Sequence, residues 1–141
     1  MPKSPQWLWL FPFAYLLHVI EEIRGVGALH GINLSLTAFL ILSAAAWLLM
    51  ICGVVLAQRF GFPQFMAVCL GSTVLLNGLS HILTSLVHLA YDAGVISGTI
   101  FFIPLGLATL ITLRSSMRKQ RFIIGTLVGL VIQAIALIIA A

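Results

Sequence analysis

From Leu34 to Ala57 the chain runs 24 residues without one charged side chain. A helix of that length rises about 36 Å at ~1.5 Å per residue, enough to cross a hydrocarbon core of roughly 30 Å. The pattern recurs along the chain. Further apolar runs cover about Trp7–Ile23, Phe65–Ala90, Val95–Leu113 and Phe122–Ala140. The breaks are marked by turn and charge signals: Gly25, Gly27, Gly31 and Asn33, then Arg59 to Pro63, then Tyr91 to Gly94, then Arg114 to Arg121. Five such runs in 141 residues leave no room for a separate soluble module. With 62% hydrophobic residues and a mean hydropathy of +1.20, the chain reads as all-α, a polytopic membrane bundle of five transmembrane helices in one domain, residues 1–141.

Charge sets the expected orientation. With five spans, the N-terminus shares a side with the second and fourth loops. That side holds Lys3, Arg59, Arg114, Arg118, Lys119 and Arg121, and the other holds only Arg24. Basic loops stay cytoplasmic, so the N-terminus is expected inside and the C-terminus outside, in a multi-pass protein of the inner (cytoplasmic) membrane. The net charge of +4 lies mostly in these loops, so it does not point to a nucleic-acid partner. Cys52 and Cys69 stand in apolar runs without C-x-x-C spacing and read as small hydrophobes. The first run lacks an A-x-A site and leads straight into charge, which argues against a cleaved signal peptide. Trp7, Trp9 and Trp47 suit interface anchoring and packing. Pro104 and Gly106 predict a kink in the fourth span, and Gly125-x-x-x-Gly129 a close packing face in the fifth, open to a second copy of the chain.

The first run poses the chemical question. It ends in His18-Val-Ile-Glu21-Glu22, placing two of the chain's three acids beside an imidazole. Stopping the span before His18 would leave Trp7–Leu17, about 16 Å at ~1.5 Å per residue and too short to cross. Either the span includes the polar triplet or it does not cross, and the charge bias favours crossing. His18, Glu21 and Glu22 stand at i, i+3 and i+4 and share one helical face. In the third span Asn77, His81, Thr84 and His88 fall within a sector of about 60° at ~100° per residue. Depth counting puts His18 near Asn77, and Glu21 and Glu22 near His81. Polar faces at matching depth are expected to meet, because neither can face lipid.

Two histidines and a carboxylate form the ligand set of catalytic zinc and of the iron facial triad. The expected roles follow: His18, Glu22 and His81 bind a divalent metal (zinc or iron), and His88 is a further ligand. Whichever of Glu21 and Glu22 stays unbound is the general base, and Asn77 orients a ligand or donates to substrate. Without metal, the same groups could relay a proton between a buried Glu and His, or could simply hydrogen-bond between helices, with Glu21 paired to Arg24. His30 reads as a solvated loop residue. Tyr91 and Asp92 read as a helix-end turn that could rim the site.

His18-Val-Ile-Glu21-Glu22 at the end of a first span, with Asn77-Gly-Leu-Ser-His81 later, resembles the HXXEE-motif family of small bacterial membrane proteins. The resemblance covers most of the chain and marks His18, Glu21 and Glu22, then Asn77 and His81. Its name records a motif and implies no reaction.

The functional expectation is a membrane-embedded metal-dependent enzyme, a hydrolase or oxidase, acting on a lipid or other apolar small molecule. A small ion-coupled transporter using the same cluster is the alternative, and a heme-binding electron carrier with His18 and His81 as axial ligands is a third. A transport path needs polarity in the cytoplasmic half, where only Ser43, Ser72 and Thr109 stand. The charge bias is directly testable: reporter fusions should place the N-terminus inside and the C-terminus outside, and both termini on one side would contradict a five-span count.

Overall fold

The computed structural model describes residues 6–26 and 33–140, so Lys3 and His30 lie outside the described residues. These residues form five helices and no strand. α1 is Leu10–Glu22, with 3-10 turns at Gln6–Trp9 and Ile23–Gly25 before and after it. α2 is Leu36–Phe60, α3 Pro63–His88, α4 Val95–Ser116 and α5 Lys119–Ala140. The last four are long and apolar enough to cross a membrane. The chain is thus built as a multi-pass membrane protein.

Local chemistry sets the boundaries. Ser35 caps α2, its Oγ accepting from the Ala38 N–H at 3.2 Å. Gly61 ends α2 in the left-handed region (φ 77°), and Pro63 opens α3, where its missing N–H costs nothing. The expected kink in α4 takes the form of a π turn over Gly98–Phe102, in which the Ile103 N–H reaches back to the Gly98 carbonyl. Pro104, lacking an N–H, follows directly, so the widened turn sits where the helical ladder is interrupted.

Small residues set how the helices meet. Gly71 lies against Thr109 and the Gly106 carbonyl, and Gly78 against Gly98, so α3 and α4 run antiparallel at close range. Gly125 lies against Val68 and Gly129 against Cys69 and Ser72, so α3 and α5 run parallel. Thr73 Oγ1 ties that second seam by donating to the Gly129 carbonyl at 3.1 Å. Helices that gain little from burying apolar side chains in lipid gain from backbone approach of this kind. The Gly125/Gly129 face therefore packs against α3 of the same chain. α1 is pinned to α2 by the Trp47 indole, which donates to the Pro12 carbonyl at 3.0 Å.

The apolar core runs from one end of the bundle up to Val74 and Phe102 beside the polar end. Leu8, Phe11, Val54, Ala67, Val68 and Leu113 are buried together at the first end, from the start of α1 and α3 and the ends of α2 and α4. The described basic residues Arg59, Arg114, Arg118, Lys119 and Arg121 flank that same end. At the other end α1 and α3 finish and α4 begins, and there the polar residues collect.

Gly129→Ala should destabilise the fold by about 1–3 kcal/mol, because its methyl would meet the Cys69 carbonyl oxygen, a backbone atom that cannot step aside. Gly53→Ala should change little, since its methyl would meet only the movable end of Met66. Thermal unfolding of the two variants in one detergent measures the difference.

Candidate metal centre

A helix that ends in Glu21-Glu22 inside an apolar bundle must satisfy both carboxylates, and the two do so differently. Glu21 turns toward the first turn of α4. Its Oε1 accepts from the Tyr91 hydroxyl at 2.6 Å and the Ile96 N–H at 3.1 Å. Its Oε2 accepts from the Ser97 N–H at 2.7 Å and the Ser97 hydroxyl at 2.5 Å. An anion at the start of a helix fills the orphan N–H groups there and complements the helix dipole. Partial burial and the Glu21 carboxylate push the Tyr91 phenol up to about 12, so it remains a donor at ordinary pH. With four donors on it, Glu21 is an anchor between α1 and α4, not the free base that the spacing allowed. Nor do the described residues show an ion pair between Glu21 and Arg24.

Glu22 turns the other way, toward two imidazoles. Its Oε1 lies 3.4 Å from His18 Nε2 and 3.3 Å from His81 Nε2. The two rings meet edge to face, 4.9 Å between centroids, and the Phe102 ring, carried by the π turn, lies 4.4 Å from the His18 ring. His18 is 1% exposed. The expected meeting of α1 and α3 therefore occurs, through His18, Glu22 and His81, whose ligand atoms lie within 4.8 Å of one another.

The outer nitrogens fix the tautomers. The Ser97 hydroxyl gives its proton to Glu21, so it accepts from His18 Nδ1–H at 2.7 Å. His81 Nδ1–H donates to Asp92 Oδ2 at 2.5 Å. Each imidazole is thus bonded outward through Nδ1 and turns Nε2 toward Glu22, the arrangement in which a carboxylate or hydroxyl orients a metal-binding histidine. His18 Nε2 is buried with no hydrogen-bond partner.

Gly94 completes the cradle. Its φ of 108° suits glycine, and a Cβ there would sit 2.8 Å from His81 Nε2 and 2.8 Å from His18 Cε1. The missing side chain leaves open the space beside the two nitrogens. Gly25 performs a similar service at the end of α1, where a methyl would meet Ala93.

The other expected residues fall elsewhere. His88, expected as a fourth ligand, is exposed near the end of α3, its Nδ1 donating to the Thr84 carbonyl at 3.0 Å. It lies seven residues beyond His81, about 10 Å along the helix and past the reach of Glu22. Asn77 stands one turn before His81, with no hydrogen bond to His18, Glu22 or His81 among the described contacts; its Oδ1 is buried without a partner. Sequence reasoning places Asp92 in a turn that could rim the site and Gly94 in the same turn, and it passes over Ser97. The signal for Ser97 was weak: a small polar residue one turn into α4, at the depth of Glu21.

Glu21→Gln should fold less stably by about 1–3 kcal/mol, because charge-assisted bonds to the start of α4 become ordinary ones. Circular dichroism melts of Glu21→Gln against wild type read this directly.

The family comparison agrees with the motif. The model of the family described as "protein of unknown function with HXXEE motif" matches residues 9–109, a stretch that includes His18, Glu21, Glu22, His81, Asp92 and Ser97. No curated protein and no solved structure matches the chain. The chain belongs to the HXXEE-motif family.

Proposed function

We propose that the protein is a membrane-embedded, metal-dependent hydrolase of an apolar or lipid substrate, with zinc held by His18 Nε2, His81 Nε2 and Glu22 Oε1. One observation carries the reading: the Nε2–Oε1 separations of 3.4 and 3.3 Å. Charge-assisted hydrogen bonds between these atoms would close to about 2.7–2.9 Å. Four-coordinate zinc with bonds of ~2.0–2.1 Å sets neighbouring ligand atoms ~3.3 Å apart, so the two carboxylate–imidazole edges already match and the third, with all three atoms within 4.8 Å, would close on binding. The same donor set serves non-heme iron; zinc with hydrolysis is the reading proposed, because it needs no redox partner.

Three protein ligands leave a fourth position open, the pattern of catalytic rather than structural zinc. The ion would supply a water acidic enough to react near neutral pH and an electrophilic contact for a carbonyl oxygen. The chain supplies the rest. Asp92 and Ser97 hold the imidazoles in register, Gly94 leaves room for the reacting group, and Glu22 is the one acid of the motif pair facing the site. Phe102 keeps water from one wall.

In this reading α1 also crosses. With its flanking 3-10 turns it is helical from Gln6 to Gly25, about 33 Å at ~1.5 and ~2.0 Å per residue. The N-terminus then lies inside, the C-terminus outside, and the metal in the outer half of the inner membrane. The transporter alternative draws on His81 standing between Glu22 and Asp92, a place suited to a proton in transit. It needs a polar file to the other side. There Ser72 is buried and bonded to its own helix at Val68, and Leu8, Phe11 and Val54 close the bundle. Heme has less support, because imidazoles 4.9 Å apart leave no width for a macrocycle between them.

Metal analysis of purified protein tests the proposal. Wild type should carry about one zinc per chain, and His18→Ala, His81→Ala and Glu22→Gln close to none. Asp92→Asn should lose affinity about 10–100-fold. Gly94→Ala should exclude the ion by bulk. Metal-free wild type, or full zinc in His18→Ala, would overturn it.

A further inference from the structure

Among the described residues three buried side-chain atoms lack a hydrogen-bond partner: His18 Nε2, Asn77 Oδ1 and Gln133 Nε2. The first faces the metal centre. The other two call for a separate explanation, because a buried amide atom without a partner is costly and rare in a native fold.

Their places are related by the α3–α5 seam. These helices run parallel, and Thr73 on α3 donates to the Gly129 carbonyl on α5. One turn further along each helix stand Asn77 and Gln133. Gln133 is 2% exposed on the glycine face of α5, the face that packs on α3. Asn77 is in turn one helical turn before His81, about 6 Å along α3. The two atoms are complementary in kind, one an acceptor and one a donor, and by this register both residues stand one turn beyond the Thr73–Gly129 contact.

That pairing selects a ligand. A carboxylate or phosphate offers only acceptors and would be repelled by Asn77 Oδ1. An ammonium offers only donors and would leave Gln133 Nε2 unpaired. A hydroxyl donates to the one and accepts from the other with a single oxygen. The entry route follows from the packing: α5 leans chiefly on α3 and follows an extended residue, Met117. Parting the seam brings both amides within reach of the lipid phase; at its far end α5 is also held by the Ala140 carbonyl, which accepts from the Asn33 N–H just before α2 at 3.4 Å.

We infer that Asn77 and Gln133 form a binding site for the hydroxyl group of an uncharged membrane amphiphile, entering between α3 and α5 one turn from the metal centre. The inference deepens the hydrolase reading by naming its substrate class and rests on that reading for the reaction. Its geometry does not depend on the metal.

Photolabelling of the full chain in lipid nanodiscs tests it, using a long-chain primary alcohol with a diazirine in its tail. Labelled peptides should map to α3 and α5. Labelling should be competed by unlabelled dodecanol, and at least tenfold less well by its methyl ether and by dodecanoate. Gln133→Met removes the orphan donor at nearly constant volume. It should melt no lower than wild type and keep its zinc, yet lose about tenfold in labelling, the worth of one hydrogen bond. Asn77→Leu gives the same readout from the other arm should Gln133→Met not accumulate. Equal labelling of variant and wild type, or equal competition by dodecanoate, overturns the inference and leaves buried water as the bridging group. Zinc-replete protein without Gln133 dependence sinks the hydroxyl site and spares the metal centre. Gln133-dependent labelling of zinc-free protein does the reverse.

Discussion

A carboxylate carried into an apolar bundle must be met by donors or by a cation, and Glu22 is met by two imidazoles whose other nitrogens are bonded to Ser97 and Asp92. Much of the polar end of the molecule follows from that constraint. For His18 to present a bare Nε2, Ser97 must accept its Nδ1–H, and Ser97 can do so because its own proton goes to Glu21. For His81 to do the same, the loop after α3 must bring Asp92 beneath it. The adjacent acids of the motif therefore divide the labour. Glu21 fastens the start of α4 so that Ser97 is in place, and Glu22 faces the centre that Ser97 and Asp92 orient.

Such a cluster needs backbones held close and in fixed register, and the glycine seams provide both. Gly78 against Gly98 brings α4 against α3 at the level of the π turn, which carries Phe102 onto the His18 ring. Gly94 then allows the loop backbone to approach the two Nε2 atoms. The apolar core, from Phe11 through Val68 to Leu113 and up to Phe102, holds the helices together beneath the site. The division of the bundle into a packed basic end and a polar end suits an enclosed chemical site better than a path across the membrane.

The convergence of α1 and α3 could be read from spacing alone, since i, i+3, i+4 on one helix and four, three, four on another each define a face. Depth counting matched them because both helices are regular there. The same logic misplaced His88. It shares the stripe of His81, but α1 ends before reaching its level. The role of Glu21 was hidden for a different reason: its donors come from α4, and helix spacing says nothing of where a third helix begins. Gly94 was visible as a turn glycine; that it borders the two imidazoles is a property of the assembled loop. The fifth helix showed its glycine pair in the sequence, while Gln133, one turn further on the same face, drew no attention as a lone amide.

The central claim is that three atoms on two helices form one metal centre. X-ray absorption at the zinc edge of the purified, zinc-loaded protein tests it most directly, because it reads ligand type and distance together. The account predicts a first shell of nitrogen and oxygen at about 2.0–2.1 Å, the outer-shell scattering of two imidazoles, and no sulfur. A sulfur shell from Cys52 or Cys69, or a spectrum without imidazole scattering, would contradict it.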